Sequence, residues 1–178
     1  MTLLIILGCM YAGKTETVIS HARRYRAINK KVLFINSILD NRYSEKEYVV
    51  SHNGTKEDCL KVSELSNIST TDEFNEAKVV IIEEAQFFPD LIKFFKSQDL
   101  NEKHYIVSGL AGDYQMNPIG DVLKLIPMAE HVEKINGFCK YCKDGTIGAF
   151  TRRKTGSSKV IEVGGEDKYE CVCRLHFN

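Results

Sequence analysis

The sequence predicts an α/β fold, a parallel sheet with helices on both faces, followed by a small metal-bound subdomain. Three observations predict it. Short, continuous apolar runs recur along residues 1–135 and alternate with stretches of helical spacing, as strands covered on both faces by crossover helices require. The first of those runs ends in a glycine-rich turn that opens straight into a helix. From Asn136 the long apolar runs stop, and close pairs of cysteine and histidine take their place. Residues 1–135 are therefore expected to form the α/β domain and residues 136–178 the small subdomain.

Each element has its own warrant. Leu3 to Leu7 is an apolar run suited to a strand buried on both faces, and from Glu16 to Ile28 the residues Val18, Ile19, Ala22 and Tyr25 repeat at helical spacing. Lys31 to Asn36 reads as a second strand, ending near the polar cluster Asp40-Asn41-Arg42-Tyr43-Ser44. In an open α/β sheet, such a cluster emerges where ligands gather. Tyr43 to Asp58 is polar, carries the turn signal Asn53-Gly54, and is expected to be a loop or hairpin. Leu60 to Phe74 suggests a short strand and one or two short helices. Lys78 to Ile82 is the third clear strand, and Leu91 to Phe95 looks helical. Tyr105 to Val107 reads as a fourth strand closed by the glycine-rich turn Ser108-Gly109-Leu110. Ile119, Val122, Leu123 and Ile126 space as a short helix, and Val132 to Ile135 as a fifth strand.

Composition narrows the function classes. Lysine plus arginine equals aspartate plus glutamate at 24 each, so no global field draws the chain to nucleic acid or a membrane surface. No apolar run reaches membrane-spanning length, and the opening run lacks a basic leader and a cleavage site. Six cysteines beside an intracellular nucleotide motif point to thiols or metal ligands in a reducing compartment, with the cytoplasm expected.

That motif is Gly8-Cys9-Met10-Tyr11-Ala12-Gly13-Lys14-Thr15, the G-x-x-x-x-G-K-[ST] pattern of a phosphate-binding loop, here between a strand and a helix N-terminus. Gly8 and Gly13 let the backbone close round a phosphate with its amides pointing inward, and the helix dipole adds to the attraction. Lys14 brings a charge to the outer phosphates and the Thr15 hydroxyl can ligate magnesium. The expected architecture is thus a P-loop NTPase of RecA-like type that binds ATP. Glu83 and Glu84 leave the end of the third strand on opposite faces, so Glu83 can attend the magnesium while Glu84 takes a proton from an acceptor hydroxyl. Arg42 could stabilise a phosphoryl group in transfer. Met10, Asp40 and Gln86 complete the expected nucleotide site.

The second chemical motif is a tetrahedral zinc pattern. Cys139 and Cys142 form one knuckle, and Cys173 with His176 the other. Cys171 competes with Cys173, although the two-residue spacing to His176 favours Cys173. A subdomain so poor in core residues needs a staple of this kind. Cys9 and Cys59 read as ordinary thiols.

Several segments together resemble the type II thymidine kinases. They are the phosphate loop, Asp40 to Ser44, Glu83 to Asp90, Pro118-Ile119-Gly120 followed by Leu125 to Glu130, and Gly164 to Tyr169 leading into Cys173-Arg174-Leu175-His176. The resemblance implies transfer of the γ-phosphoryl group of ATP to the 5′-hydroxyl of thymidine, with Glu84 as proton acceptor. It implies a lasso loop between the zinc knuckles, in which backbone groups of Val160, Ile161, Glu162, Val163 and Gly164 read the thymine edge. Tyr169 would lie over the sugar, and Met10, Phe87, Leu110, Tyr114 and Thr151 would line the base pocket. A homotetramer and feedback inhibition by thymidine triphosphate are also implied. Three positions depart from the family: Glu83 and Ala111 stand where Asp is usual, and His176 replaces a fourth cysteine. Since the chain starts at its first strand and stops after the second knuckle, no terminal tail for regulated degradation is expected.

An alternative from another class is a zinc-bearing P-loop ATPase or nucleic-acid-binding module, with Arg152, Arg153, Lys154 and Lys159 on phosphates. Neutral net charge and the lack of aromatic residues interleaved with those cations argue against it. The ordinary reading of that run is a solvated basic loop.

Overall fold

In the computed structural model, residues 2–40, 48–51, 54–156, 162 and 164–177 are described. The first strand, β1 (Leu3–Gly8), leads through the phosphate loop into α1 (Lys14–Ala27) and back to β2 (Val32–Ser37). A hairpin, β3 (Tyr48–Val50) and β4 (Lys56–Asp58), precedes the short β5 (Leu60–Val62), α2 (Asp72–Glu76) and β6 (Val79–Ile82). Then come α3 (Leu91–Ser97), β7 (His104–Leu110) and β8 (His131–Ile135). The sheet has six strands in the order β5-β2-β6-β7-β1-β8, and every neighbouring pair is parallel.

Strand alternation explains why the sequence shows runs rather than a period of two. Leu3, Ile5 and Leu7 of β1, with Val80 and Ile82 of β6, face the cluster that holds α3; Ile6, Val79 and Ile81 face α1 through Val18, Ile19 and Ala22. Both faces are covered, so both sets of residues must be apolar. On the α3 side, Phe74, Phe94, Phe95 and Tyr105 form a chain of edge-to-face contacts with centroids 5.8, 5.4 and 5.3 Å apart. No helix among the described residues is long and apolar enough to cross a membrane.

Two expectations are corrected. Ser108, Gly109 and Leu110 are not a turn but the end of β7, paired with Ile6, Leu7 and Gly8. Gly109 belongs in a strand because a Cβ there would lie 2.9 Å from Gln86 Oε1 and 3.1 Å from Val122, so only hydrogen fits. The helix expected around Ile119 to Ile126 is a 3-10 segment, Val122–Met128, with Pro127 inside it. The missing N–H of that proline and the crowding of its ring disfavour an α-helical register.

After β8 the chain forms two small antiparallel pairs, β9 (Gly137–Phe138) with β10 (Ile147–Gly148) and β11 (Phe150–Arg153) with β12 (Tyr169–Val172). Their own apolar cluster is slight: Cys139, Val172 and Cys173, with Cys142, Phe150 and Phe177 against them.

Truncating Phe95 to Ala should cost about 3–5 kcal/mol in urea unfolding, because the ring is fully buried between aromatic neighbours. The half-exposed Val132→Ala on edge strand β8 should stay within about 0.5 kcal/mol.

Candidate active site

Parallel pairing brings the C-terminal ends of β6, β7 and β1 to one edge of the sheet, and the candidate site is built there. Gly8 ends β1 where a Cβ would meet Ile135 O at 2.8 Å and Ala12 Cβ at 2.9 Å. Gly13 caps α1 with φ 88°, a left-handed conformation suited to glycine. Between them, the Lys14 ammonium donates to Cys9 O at 2.9 Å, which holds a buried positive charge on the loop. Thr15 donates to Glu83 Oε1 at 2.6 Å, and Ser108 donates to the other carboxylate oxygen. Burial, then the neighbouring Glu84 carboxylate, pushes Glu83 up to about 7.

Glu84 departs from the strand geometry assumed for it. Its backbone is left-handed, φ 52°, where β6 gives way to the 3-10 turn Ala85–Phe87. This conformation disfavours L-residues by about 1–2 kcal/mol, so its neighbours must hold it. Gln86 does so from behind: Nε2 donates to Glu84 Oε2, while Oε1 accepts from Leu110 N at 3.1 Å. Gln86, a candidate for the nucleotide site, is thus also the hydrogen-bond partner of Glu84. Asp40, at the end of β2, accepts from Asn36 Nδ2 at 3.0 Å, and its backbone oxygen accepts from Lys61 Nζ at 3.0 Å. Arg42, Val160, Ile161 and Val163 lie outside the described residues.

Beside the phosphate loop lies a cleft of about 510 Å³, counted to its open mouth. Of the residues expected to bind the nucleoside, Met10, Phe87, Leu110, Tyr114, Thr151, Glu162, Gly164 and Tyr169 all line it, together with Glu84 and Gln86. The wall contributed by β11 and β12 is tied to the loop, since Met10 N donates to Thr151 Oγ1 at 3.0 Å. The reading of Arg152 and Arg153 as a solvated basic run is overturned. The Arg153 side chain is 2% exposed, with its guanidinium 3.7 Å from the Tyr114 ring centroid and 5.3 Å from that of Tyr169. Its Nη2 donates to Tyr169 OH at 2.8 Å, and that hydroxyl donates to Glu162 O at 2.7 Å. Arg152 bonds Glu170 Oε1 through Nε at 2.6 Å and His176 O through Nη1 at 2.6 Å.

Gly112, Asp113, Ile119 and Arg153 also line the cleft and were not anticipated there. Asp113 Oδ1 accepts from Gln115 N and Asn117 N, both at 2.8 Å, and so shapes the loop after β7. For Arg153 a signal did exist: in a strand it shares a face with Thr151, two residues earlier.

Cys139, Cys142, Cys173 and His176 gather with ligand atoms all within 4.8 Å of one another. Zinc–sulfur bonds of about 2.3 Å and zinc–nitrogen bonds of about 2.0 Å in a tetrahedron require S···S near 3.8 Å and S···N near 3.5 Å. The Cys142–Cys173 sulfurs are 3.8 Å apart, and the three sulfurs stand 3.5, 3.4 and 3.3 Å from His176 Nδ1. The donor set fits zinc. Cys171, the competing ligand, turns away and lies 3.5 Å from Cys9. Tyr141 stacks on the His176 ring at 5.3 Å and lies under the Arg152 guanidinium, which braces the knuckle from outside.

The family described as thymidine kinase matches residues 1–177. A thymidine kinase of Oryza sativa subsp. japonica is 39% identical over 97% of this chain, which spans 65% of that protein. That of Choristoneura fumiferana entomopoxvirus is 36% identical over the whole of this chain and 97% of its own length. Thymidine kinase a of Arabidopsis thaliana is 35% identical over 97% of this chain and 73% of its own. With a family match over residues 1–177 and a relative 36% identical along the whole of this chain and 97% of its own length, the chain belongs to the thymidine kinase family.

Proposed function

We propose that the protein transfers the γ-phosphoryl group of ATP to the 5′-hydroxyl of thymidine. The observation that carries this reading is the shared wall of two sites. Glu83 bonds Thr15 of the phosphate loop, while the adjacent Glu84 lines the apolar cleft with Met10, Phe87 and Tyr169. A triphosphate on the loop and a nucleoside in the cleft would meet at Glu84. There the carboxylate accepts the hydroxyl proton, the oxygen bonds to the γ-phosphorus, and the bond to the β-phosphate oxygen breaks to release ADP.

The chain's other residues orient and neutralise. Lys14 and the loop amides hold the outer phosphates, and Arg42 adds charge at the transferring group. Asp40 closes the nucleotide side of the site. Thr15 and Glu83, a hydroxyl and a carboxylate 2.6 Å apart, suit a hard cation, and magnesium bound by them would supply charge neutralisation for the phosphates. Tyr169 covers the sugar, and backbone groups from Val160 to Gly164 read the base edge. An analogue with mismatched donors would leave polar groups of the complex unpaired, at about 1–3 kcal/mol each. Zinc in the Cys3His cluster serves as a structural staple for residues 136–178. A homotetramer, feedback by thymidine triphosphate and a cytoplasmic location accompany this reading. The nucleic-acid alternative loses its footing, since Arg152 and Arg153 are engaged within the protein.

The test is a nucleoside panel with ATP and magnesium: thymidine should be phosphorylated, and Glu84→Gln should lower kcat by about 10²–10⁴-fold with ATP binding nearly intact. Thymidine-independent ATP hydrolysis stimulated by DNA would refute the kinase reading. Arg153→Met should raise the KM for thymidine about thirtyfold with a smaller change in kcat, because a desolvated cation–π pair is worth about 2 kcal/mol. Arg153→Lys should not restore it, lacking the planar fork. Elemental analysis should find one zinc per chain, and its removal by a chelator should expose residues 136–178 to proteolysis and abolish turnover.

A further inference from the structure

Two cysteines have no part in the metal cluster and yet meet. Cys9 belongs to the phosphate loop and Cys171 to β12, and their sulfurs lie 3.5 Å apart across 162 positions of sequence. Both thiols also point at the Gly148 carbonyl, at 3.4 and 3.2 Å. Gly137 and Gly148 make room for the pair: a Cβ on either would stand 2.9 or 2.5 Å from the Cys171 sulfur. Each thiol is nearly buried but reaches a cavity. Cys9 lines one of about 480 Å³ with Lys134 and Phe150, and Cys171 lines another of about 570 Å³ with Tyr11 and Lys140. Both are wide enough for a molecule little larger than water.

We propose that Cys9 and Cys171 are a hydroperoxide-sensitive dithiol whose reversible disulfide fastens the phosphate loop to β12 and disables it. The Cys9 thiolate attacks hydrogen peroxide; an S–O bond forms, the O–O bond breaks, and the departing hydroxide is protonated to water. The Cys171 sulfur then attacks the sulfenic acid; the S–S bond forms, the S–O bond breaks, and the thiol proton leaves with the second water. Two electrons pass from the sulfurs to the peroxide. Hydrogen bonding from Cys171 and the charge of Lys14 support the first step, holding Cys9 down to about 6 against its burial.

The consequence for the loop is geometric. The sulfurs must close from 3.5 Å to about 2.05 Å, and the backbones of Gly137 and Gly148 confine Cys171, so the phosphate loop is the side that yields. Cys9 O, which accepts from Lys14, and Met10 N, which donates to Thr151, move with it. A displacement of about 1 Å at such a site can cost a hundredfold in turnover.

The experiment exposes the zinc-loaded protein to a small molar excess of hydrogen peroxide and reads three quantities: the disulfide by non-reducing peptide mapping, ATP affinity, and retained zinc. The expected result is a Cys9–Cys171 linked peptide, weakened ATP binding, zinc retained, and full recovery with dithiothreitol. Cys171→Ser and Cys171→Ala should each keep ATP affinity under the same exposure and leave a Cys9 sulfenic acid that dimedone traps. Reduced Cys9 and Cys171 beside oxidised zinc ligands would overturn the proposal. So would a mapped disulfide with unchanged ATP affinity, or equal sensitivity of the Cys171 variants. Peptide mapping and ATP binding do not depend on which nucleoside is phosphorylated, so failure here is separable from failure of the kinase reading.

Discussion

One buried carboxylate holds the C-terminal edge of the sheet together. Glu83 sits at the end of β6 with 1% of its surface exposed, and takes hydrogen bonds from Thr15 at the start of α1 and from Ser108 on β7. Three separately folded elements therefore share one acceptor. Burying a charge is costly, and that cost is tolerable only where donors replace the lost water. The same constraint fixes its neighbour: with Glu83 committed to the phosphate loop, the chain must turn sharply, and Glu84 adopts a left-handed backbone that points it at the cleft. Gln86 locks the turn, and Gly109 and Gly120 are glycines because a side chain at either would collide with Gln86.

A second layer depends on this edge. The β11–β12 pair has little core of its own, and its place against the phosphate loop comes from specific contacts: Thr151 with Met10, and Cys171 with Cys9. Arg153 and Tyr169 are opposite each other in that pair, so antiparallel register alone brings a planar cation beside an aromatic ring at the mouth of the cleft. Cys173 and His176 of the Cys3His cluster follow β12 directly, so a metal held there would anchor one end of the pair.

How much of this could be read in advance follows from where each constraint lives. The strand–turn–helix around Gly13, Lys14 and Thr15 is legible because an apolar run, a glycine and a helical period follow one another within one short stretch. The gathering of Cys139, Cys142, Cys173 and His176 is legible because close donor pairs at metal-ligand spacing stand out in a sequence. The buried strands show as apolar runs because the sheet is covered on both faces. Ser108 was missed as a partner of Glu83, and Arg153 as a wall of the cleft, because their partners are distant in sequence. The left-handed backbone of Glu84 has no signature in a non-glycine residue. Gly109 misled for a related reason: a glycine that avoids a neighbouring side chain looks the same in sequence as one that makes a turn.

β1 lies inside the sheet, paired with β7 on one side and β8 on the other, and the loop after it is completed by residues 148–171. The loop after β1 thus waits for partners 139, 141 and 162 positions further along the chain. A chain lacking β12 would carry the glycine-rich loop without the β11–β12 wall of the cleft. Such wide sequence separation also slows folding, since loop closure must precede the contacts that reward it. The cleft beside the loop is therefore complete only once β12 is in place.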